Sequence, residues 1–331
     1  MGFLKDTGAT LKYPEYKGFA NDLKKDGIIQ FLNLYKKFKD SETSSQLWGD
    51  ELEYHIVNID PDTGNVRLRL VSGDTIGRIK SDIFDAQFEY GGWMIEGVPK
   101  QPFDIVCDPS PVLNNIRERR EEIQKNLGPN DFVLPTAVFC LLGVGDYFIP
   151  SEAEKSETAF GKINGAVTMN GESKSNEVVE NGATNSIKEE EEIKKEVLSE
   201  EKAVKRKIRT PEEKIANNVY SASRFADDEI ITGHPRFPTL TYNLRTRREE
   251  KMCIKVPIYK DVNTSLEVTE DEPYPGFIYM DAMAFGMGNC CLQQTFATRN
   301  ISHARYLTDQ LAVIAPIMVI RCFWEKFNKF E

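Results

Sequence analysis

A short segment near the N-terminus alternates regularly between apolar and polar residues, which is the pattern of a β-strand buried on one face. Its apolar side begins at Leu52 and ends at Ile56, whereas the opposite side carries Glu51, Glu53 and His55. A chain with this pattern must place the segment in a sheet, because no helical arrangement separates the two sets of side chains.

The acidic side of this strand needs a partner of some kind. Residues two apart on a strand lie about 6.5–7 Å from each other, so two glutamates there repel unless a cation, a basic residue or solvent lies between them. Mg²⁺ takes oxygen ligands and would meet this need. The alternative is a strand whose outer face is simply charged and exposed to water.

Other segments are short, periodic and separated by turn residues. Apolar residues at helical spacing predict helices at 26–39 and 301–320. The interspersed arginines and glutamates of 114–124 predict a solvated helix there. Alternation or apolar character predicts strands at 52–57, 66–71, 87–96, 136–144, 243–247, 252–259 and 290–297. Strands that follow one another through turns favour an α+β fold, with an antiparallel sheet and flanking helices.

The middle of the chain has a different composition. No aromatic residue occurs between Gly161 and Val219, where Ser, Asn, Gly, Glu and Lys dominate. Such a segment cannot bury enough apolar surface to offset the entropy lost on ordering. We therefore predict a disordered insertion at 151–219, between two parts of one domain at 1–150 and 220–320, followed by a tail at 321–331.

Composition narrows the class of protein. A formal net charge of −10 and a pI near 5.1 argue against a nucleic-acid-binding surface. No apolar run approaches the length of a membrane span, and the first residues lack a secretory hydrophobic region. The six cysteines show no paired metal-ligand spacing, so reduced thiols in a cytoplasmic protein are expected.

Further candidate ligands follow the opening strand. Glu89 and Glu96 lie among large apolar residues, where an unpaired charge is costly. Gln293 lies in a predicted strand, and its carbonyl oxygen could complete the ligand shell of a hard metal ion. The alternatives are a sheet edge with glutamates in water and a structural amide with its hydrogen bonds satisfied.

A basic cluster is the other candidate binding feature. Arg245, Arg247 and Lys251 crowd a predicted strand, with the two arginines on one face. Arginine binds phosphate and carboxylate bidentately, so a phosphate ligand is one interpretation. Salt bridges to the abundant acids are the other. The three histidines are scattered and support neither a zinc site nor a Cys–His nucleophile.

Taken together, several of these segments resemble the eukaryotic glutamate–cysteine ligase catalytic subunit, also called γ-glutamylcysteine synthetase. The matching segments are WGDELEY at 48–54, HPRFPTLT at 234–241, IYMDAMAFGMGNCCLQ at 278–293, ARYL at 304–307 and APIM at 315–318. The resemblance implies a glutamine-synthetase-like antiparallel sheet that forms a funnel. It also implies ATP-dependent ligation of glutamate to cysteine, through a γ-glutamyl phosphate, as the first step of glutathione biosynthesis.

The resemblance also implies roles for individual residues. Glu89 is expected to be a substrate- or metal-binding carboxylate of the catalytic site, and the basic cluster is expected to reach the nucleotide phosphates through Arg245, Arg247 and Lys251. The expected Mg²⁺ ligands are Glu51, Glu53, Glu96 and Gln293.

Partners and alternative functions follow from the same comparison. The expected partners are glutamate, cysteine and ATP, with a modifier (regulatory) subunit, and neither a nucleic acid nor a membrane. The resemblance covers most of 1–150 and 220–320, so the chain is expected to be the N-terminal half of such a ligase. One alternative is a truncated, non-catalytic binding chain; another, argued from the carboxylates alone, is a two-metal nuclease or phosphatase.

Overall fold

The computed structural model describes residues 10–44, 47–104, 110–151, 209–248, 250–263 and 274–327, with side chains as far as residue 317. The strands are β1 (Leu47–Ile59), β2 (Val66–Arg69), β3 (Phe84–Phe88), β4 (Met94–Pro99), β5 (Phe103–Asp104), β6 (Asp131–Leu134), β7 (Phe148–Ile149), β8 (Ile254–Pro257), β9 (Phe277–Met280) and β10 (Leu292–Phe296). The α-helices are α1 (Ala20–Phe38), α2 (Ser72–Arg78), α3 (Ser110–Lys125), α4 (Pro211–Asn217), α5 (Arg236–Arg247), α6 (Ala284–Met287) and α7 (Ile301–Phe327).

The sheet is organised around its first strand. Within the described residues, β1 pairs antiparallel with β2, β4, β5, β6 and β10, and β3 pairs antiparallel with β4. β7 adds a parallel pair to β2, whereas β8 and β9 form a separate antiparallel hairpin. The predicted α+β class with a mostly antiparallel sheet is therefore confirmed; the glutamine-synthetase-like funnel stays a prediction.

Alternate residues of the central strands pack into two apolar clusters. Tyr54 and Ile56 of β1 and Ile95 of β4 belong to one cluster. Val57 and Met94, from the same two strands, belong to the other. The alternation predicted for 52–57 is thus confirmed, and the middle of β1 is buried on both sides rather than on one.

Two of the predicted strands are wrong. Residues 243–247 belong to α5, because Phe237, Leu240, Thr241 and Leu244 recur at helical spacing and two of them are buried. The 136–144 stretch forms turns that end in Gly143 and Gly145, whose φ angles of 84° and 60° do not fit an extended strand. The other predicted strands are present at shifted ends, with 87–96 split between β3 and β4.

The helices are longer than predicted, and α3 is not solvated all round. Arg119 and Ile123 of α3 are fully buried. Arg119 Nη2 donates to Asp50 Oδ2 at 2.6 Å, and its Nη1 donates to the Gly97 carbonyl at 2.6 Å. One guanidinium therefore joins α3, β1 and β4 beneath the sheet.

The predicted insertion at 151–219 lies mostly outside the described residues. Its last part is described, and there Pro211–Asn217 forms α4 with Lys214 buried. This helix lies within the stretch that was predicted to be disordered. Among the residues that the structure describes, no helix is both long and apolar enough to cross a lipid bilayer.

Candidate metal centre

Three carboxylates converge where β1, β3 and β4 lie side by side. Glu53 of β1 is directly opposite Glu96 of β4, and Glu89 immediately follows β3. One carboxylate oxygen of each residue lies within 4.8 Å of the other two. Glu53 and Glu96 are buried, and Glu89 is half-buried. The antiparallel register thus places acids that are far apart in the sequence at one point.

Glu51 and Gln293 extend this wall along β1. They are partners in the register between β1 and β10. Glu51 is buried and its Oε2 has no hydrogen-bond partner among the described residues, whereas the Gln293 side chain is exposed. Glu51 lies outside the group of three, but its charge acts on Glu89 and Glu96.

The electrostatics of the wall favour a cation. Burial, reinforced by the neighbouring carboxylates, raises the pKa of Glu89 to about 7 and that of Glu96 to about 8. Within the described part of the chain, none of the four glutamates forms an ion pair. Hard oxygen donors, excess negative charge and an unpaired buried oxygen on Glu51 together fit a divalent ion such as Mg²⁺.

A cysteine holds one of these carboxylates in place. The backbone N–H of Cys291 donates to Glu53 Oε2 at 2.9 Å, and its Sγ donates to Glu53 Oε1 at 3.2 Å. Burial, together with Glu53, raises the pKa of the Cys291 thiol to about 11, so the thiol keeps its proton and acts as a donor. The sequence offered no signal for this contact, because it depends on the register of β10.

Comparison with known proteins shows which family the chain belongs to. The family model described as glutamate-cysteine ligase matches residues 2–171 and 182–321 of this chain. The chain belongs to the glutamate–cysteine ligase family. It is 35% identical over 338 residues to the human glutamate–cysteine ligase catalytic subunit and 34% identical over 337 residues to the rat one, in each case over 96% of this chain. It is 30% identical over 347 residues to the glutamate–cysteine ligase of Candida albicans.

The match does not extend over the whole of these relatives. This chain spans 44% of the length of the human and rat proteins and 41% of the Candida protein. The similarity therefore shows which family the chain belongs to. It does not show that the chain has the activity of the full-length relatives.

In this glutamate–cysteine ligase family member, Asp50 faces away from the acidic wall. Its side chain is 1% exposed and pairs with the buried guanidinium of Arg119. Asp50 is therefore committed to a structural ion pair and not to the group formed by Glu53, Glu89 and Glu96. The alternation of the strand predicted this separation.

The predicted basic cluster is rearranged. Because 243–247 is helical, Arg245 and Arg247 do not share a face. Arg245 Nε donates to the Tyr220 carbonyl at 2.8 Å, and Lys251 Nζ lies 3.2 Å from Asp281 Oδ2. Arg245 and Lys251 line one small cavity of about 90 Å³, whereas Arg247 is exposed. Their contact with nucleotide phosphates stays a prediction.

Proposed function

We propose that this chain supplies the metal- and nucleotide-binding wall of an ATP-dependent glutamate–cysteine ligase. The observation that supports this most is the convergence of Glu53, Glu89 and Glu96 within 4.8 Å on neighbouring strands. Family membership adds the reaction class, because the relatives are named glutamate–cysteine ligases. In that reaction ATP phosphorylates the side-chain carboxylate of glutamate. The cysteine amine then displaces the phosphate and forms the amide.

The residues of the wall have different roles in this proposal. Glu51, Glu53, Glu96 and Gln293 would hold Mg²⁺, and Glu89 would complete the site as a further metal- or substrate-binding carboxylate. When bound, Mg²⁺ would neutralise charge on the phosphoryl oxygens of ATP. Cys291 keeps the Glu53 carboxylate oriented through both of its oxygens. The burial of Glu51, Glu53 and Glu96 limits access of water to the site.

The partners belong to the same proposal. Glutamate, cysteine and ATP are its substrates, and the cytoplasm is its expected location. The mammalian relatives are named catalytic subunits, which supports association with a second, regulatory subunit. Family membership favours ligation over phosphodiester hydrolysis, which the carboxylates alone had left open.

An activity assay tests the proposal. The full chain is incubated with glutamate, cysteine, ATP and Mg²⁺, and γ-glutamylcysteine and ADP are measured by mass spectrometry. We expect ATP-dependent product, reduced about 100-fold or more by Glu53→Gln because a ligand of a charge-neutralising ion is lost.

The matched control is Glu118→Gln, which removes an exposed carboxylate on α3. It should leave the rate unchanged. A folded, monodisperse chain that makes no product would overturn catalysis by this chain and favour the non-catalytic alternative. Phosphodiester cleavage that depends on Glu53 would favour the hydrolase.

A further inference from the structure

A buried tryptophan pairs with the strand that carries the acidic wall: the Trp93 carbonyl accepts the backbone N–H of Ile56 on β1 at 2.7 Å. Trp93 is fully buried, and its ring fits against two glycines, Gly91 and Gly288. A Cβ atom at Gly91 would lie 2.6 Å from the ring, so a larger residue there would displace the indole. A Cβ atom at Gly288 would meet the Ala284 carbonyl oxygen at 2.3 Å and the ring at 3.0 Å. Because the two glycines have no side chains, the indole ring can pack against them, and this packing fixes the direction of its N–H.

That N–H meets the ring of a buried histidine. Trp93 Nε1 donates to His55 Nδ1 at 2.9 Å. Indole nitrogen is a donor only, so Nδ1 must accept and the ring proton lies on Nε2. His55 follows Glu53 by two residues on the same face of β1, so the two side chains are neighbours along the strand.

The same histidine contacts the segment that orients Glu53. Cys290 Sγ lies 3.4 Å from His55 Nδ1, and the Cys290 backbone N–H donates to the Ala137 carbonyl at 2.8 Å. The next residue, Cys291, donates to both oxygens of Glu53, and the Glu53 N–H donates back to the Cys291 carbonyl at 3.1 Å. Packing at Cys290 therefore sets the position of the donors at Cys291.

We propose that Trp93 and His55 are positioning residues for the metal centre: their hydrogen bond fixes Cys290–Cys291 and, through it, the carboxylate of Glu53. This inference rests on the proposed function, because it assumes that Glu53 binds a divalent ion. Neither residue touches the ion or the substrates. Their contribution is to keep one ligand in its binding orientation before the ion arrives. Groups that hold a ligand in this way are worth about 10–100-fold in metal affinity.

The test compares Mn²⁺ affinity, measured by electron paramagnetic resonance on the full chain, with the unfolding midpoint measured in EDTA. Trp93→Phe removes the donor and keeps an aromatic ring, and it should weaken Mn²⁺ binding by about 10-fold or more. Tyr147→Phe is the matched control. It removes a buried hydroxyl of the same apolar cluster, which bonds Asp227 away from the wall, and should lower the midpoint without weakening Mn²⁺ binding.

A second pair of variants serves if Trp93→Phe does not fold. His55→Asn keeps an acceptor near the position of Nδ1 and should bind Mn²⁺ nearly as wild type does, whereas His55→Leu should show the loss. Equal Mn²⁺ affinity for His55→Leu, His55→Asn and wild type overturns the positioning role alone. Absence of Mn²⁺ binding by the wild-type chain overturns the proposed function, and this inference with it.

Discussion

Replacing Glu96 by glutamine should strongly weaken Mg²⁺ binding and, at the same time, stabilise the metal-free protein. The loss of affinity, about 100-fold or more, follows from removing an anionic ligand that is opposite Glu53. The metal-free protein gains stability because burial, together with the neighbouring carboxylates, raises the pKa of Glu96 to about 8. Glutamine mimics the neutral acid and avoids the cost of burying a charge. After allowance for solvent screening, the gain is about 1 kcal/mol in the free energy of unfolding.

Urea denaturation in EDTA and in excess Mg²⁺ measures both effects on the same samples. Wild type should gain stability from Mg²⁺, by about 2.7 kcal/mol at a hundred times the dissociation constant, and Glu96→Gln should not. Glu118→Gln, an exposed carboxylate on α3, should follow wild type in both conditions. Destabilisation of Glu96→Gln in EDTA would show that the acidic wall is not under electrostatic strain.

Replacing Arg119 by methionine should cost about 3–5 kcal/mol in the free energy of unfolding. The substitution leaves Asp50 as a buried carboxylate with no counterion, since the two side chains are 0% and 1% exposed. It also removes the donor to the Gly97 carbonyl on β4. Both losses fall beneath the sheet, on the side opposite Glu53 and Glu96.

The control and the rescue for Arg119→Met isolate the cause. Lys25→Met breaks an ion pair between Lys25 and Asp22, whose two side chains are 74% and 75% exposed. It should change the free energy of unfolding by less than about 1 kcal/mol. The double variant Arg119→Met with Asp50→Leu should recover much of the loss, because no charge stays buried. Equal losses for the single and double variants would mean that packing, and not the unpaired charge, explains the effect.

The local pattern of β1 could be predicted because the side-chain period of a strand is independent of its neighbours. The alternation of β1 placed Asp50 on the opposite face from Glu51 and Glu53. In the structure, Asp50 forms an ion pair with Arg119 on that opposite face. The pairing of Glu53 with Glu96 needs the register between β1 and β4, which depends on the faces that the two strands bury. Only the family resemblance suggested in advance that these acids act together.

Other features could not be predicted from the pattern of neighbouring residues alone. Arg119 lies in a segment of alternating charges that predicts a solvated helix, yet Asp50 draws it into the core. In contrast, Arg245 and Arg247 alternate as a strand would, but the apolar residues before them recur at helical spacing, a signal that was present in the sequence. The donors of Cys291 to Glu53 exist only once β10 is paired with β1.

The acidic wall should bind a divalent cation, and a direct Mn²⁺ titration of the full chain measures this binding. Electron paramagnetic resonance of free Mn²⁺ should show saturable binding that Mg²⁺ competes away. A variant with both Glu53→Gln and Glu96→Gln should show none. Binding that is absent from wild type, or that the double variant retains undiminished, would contradict the account.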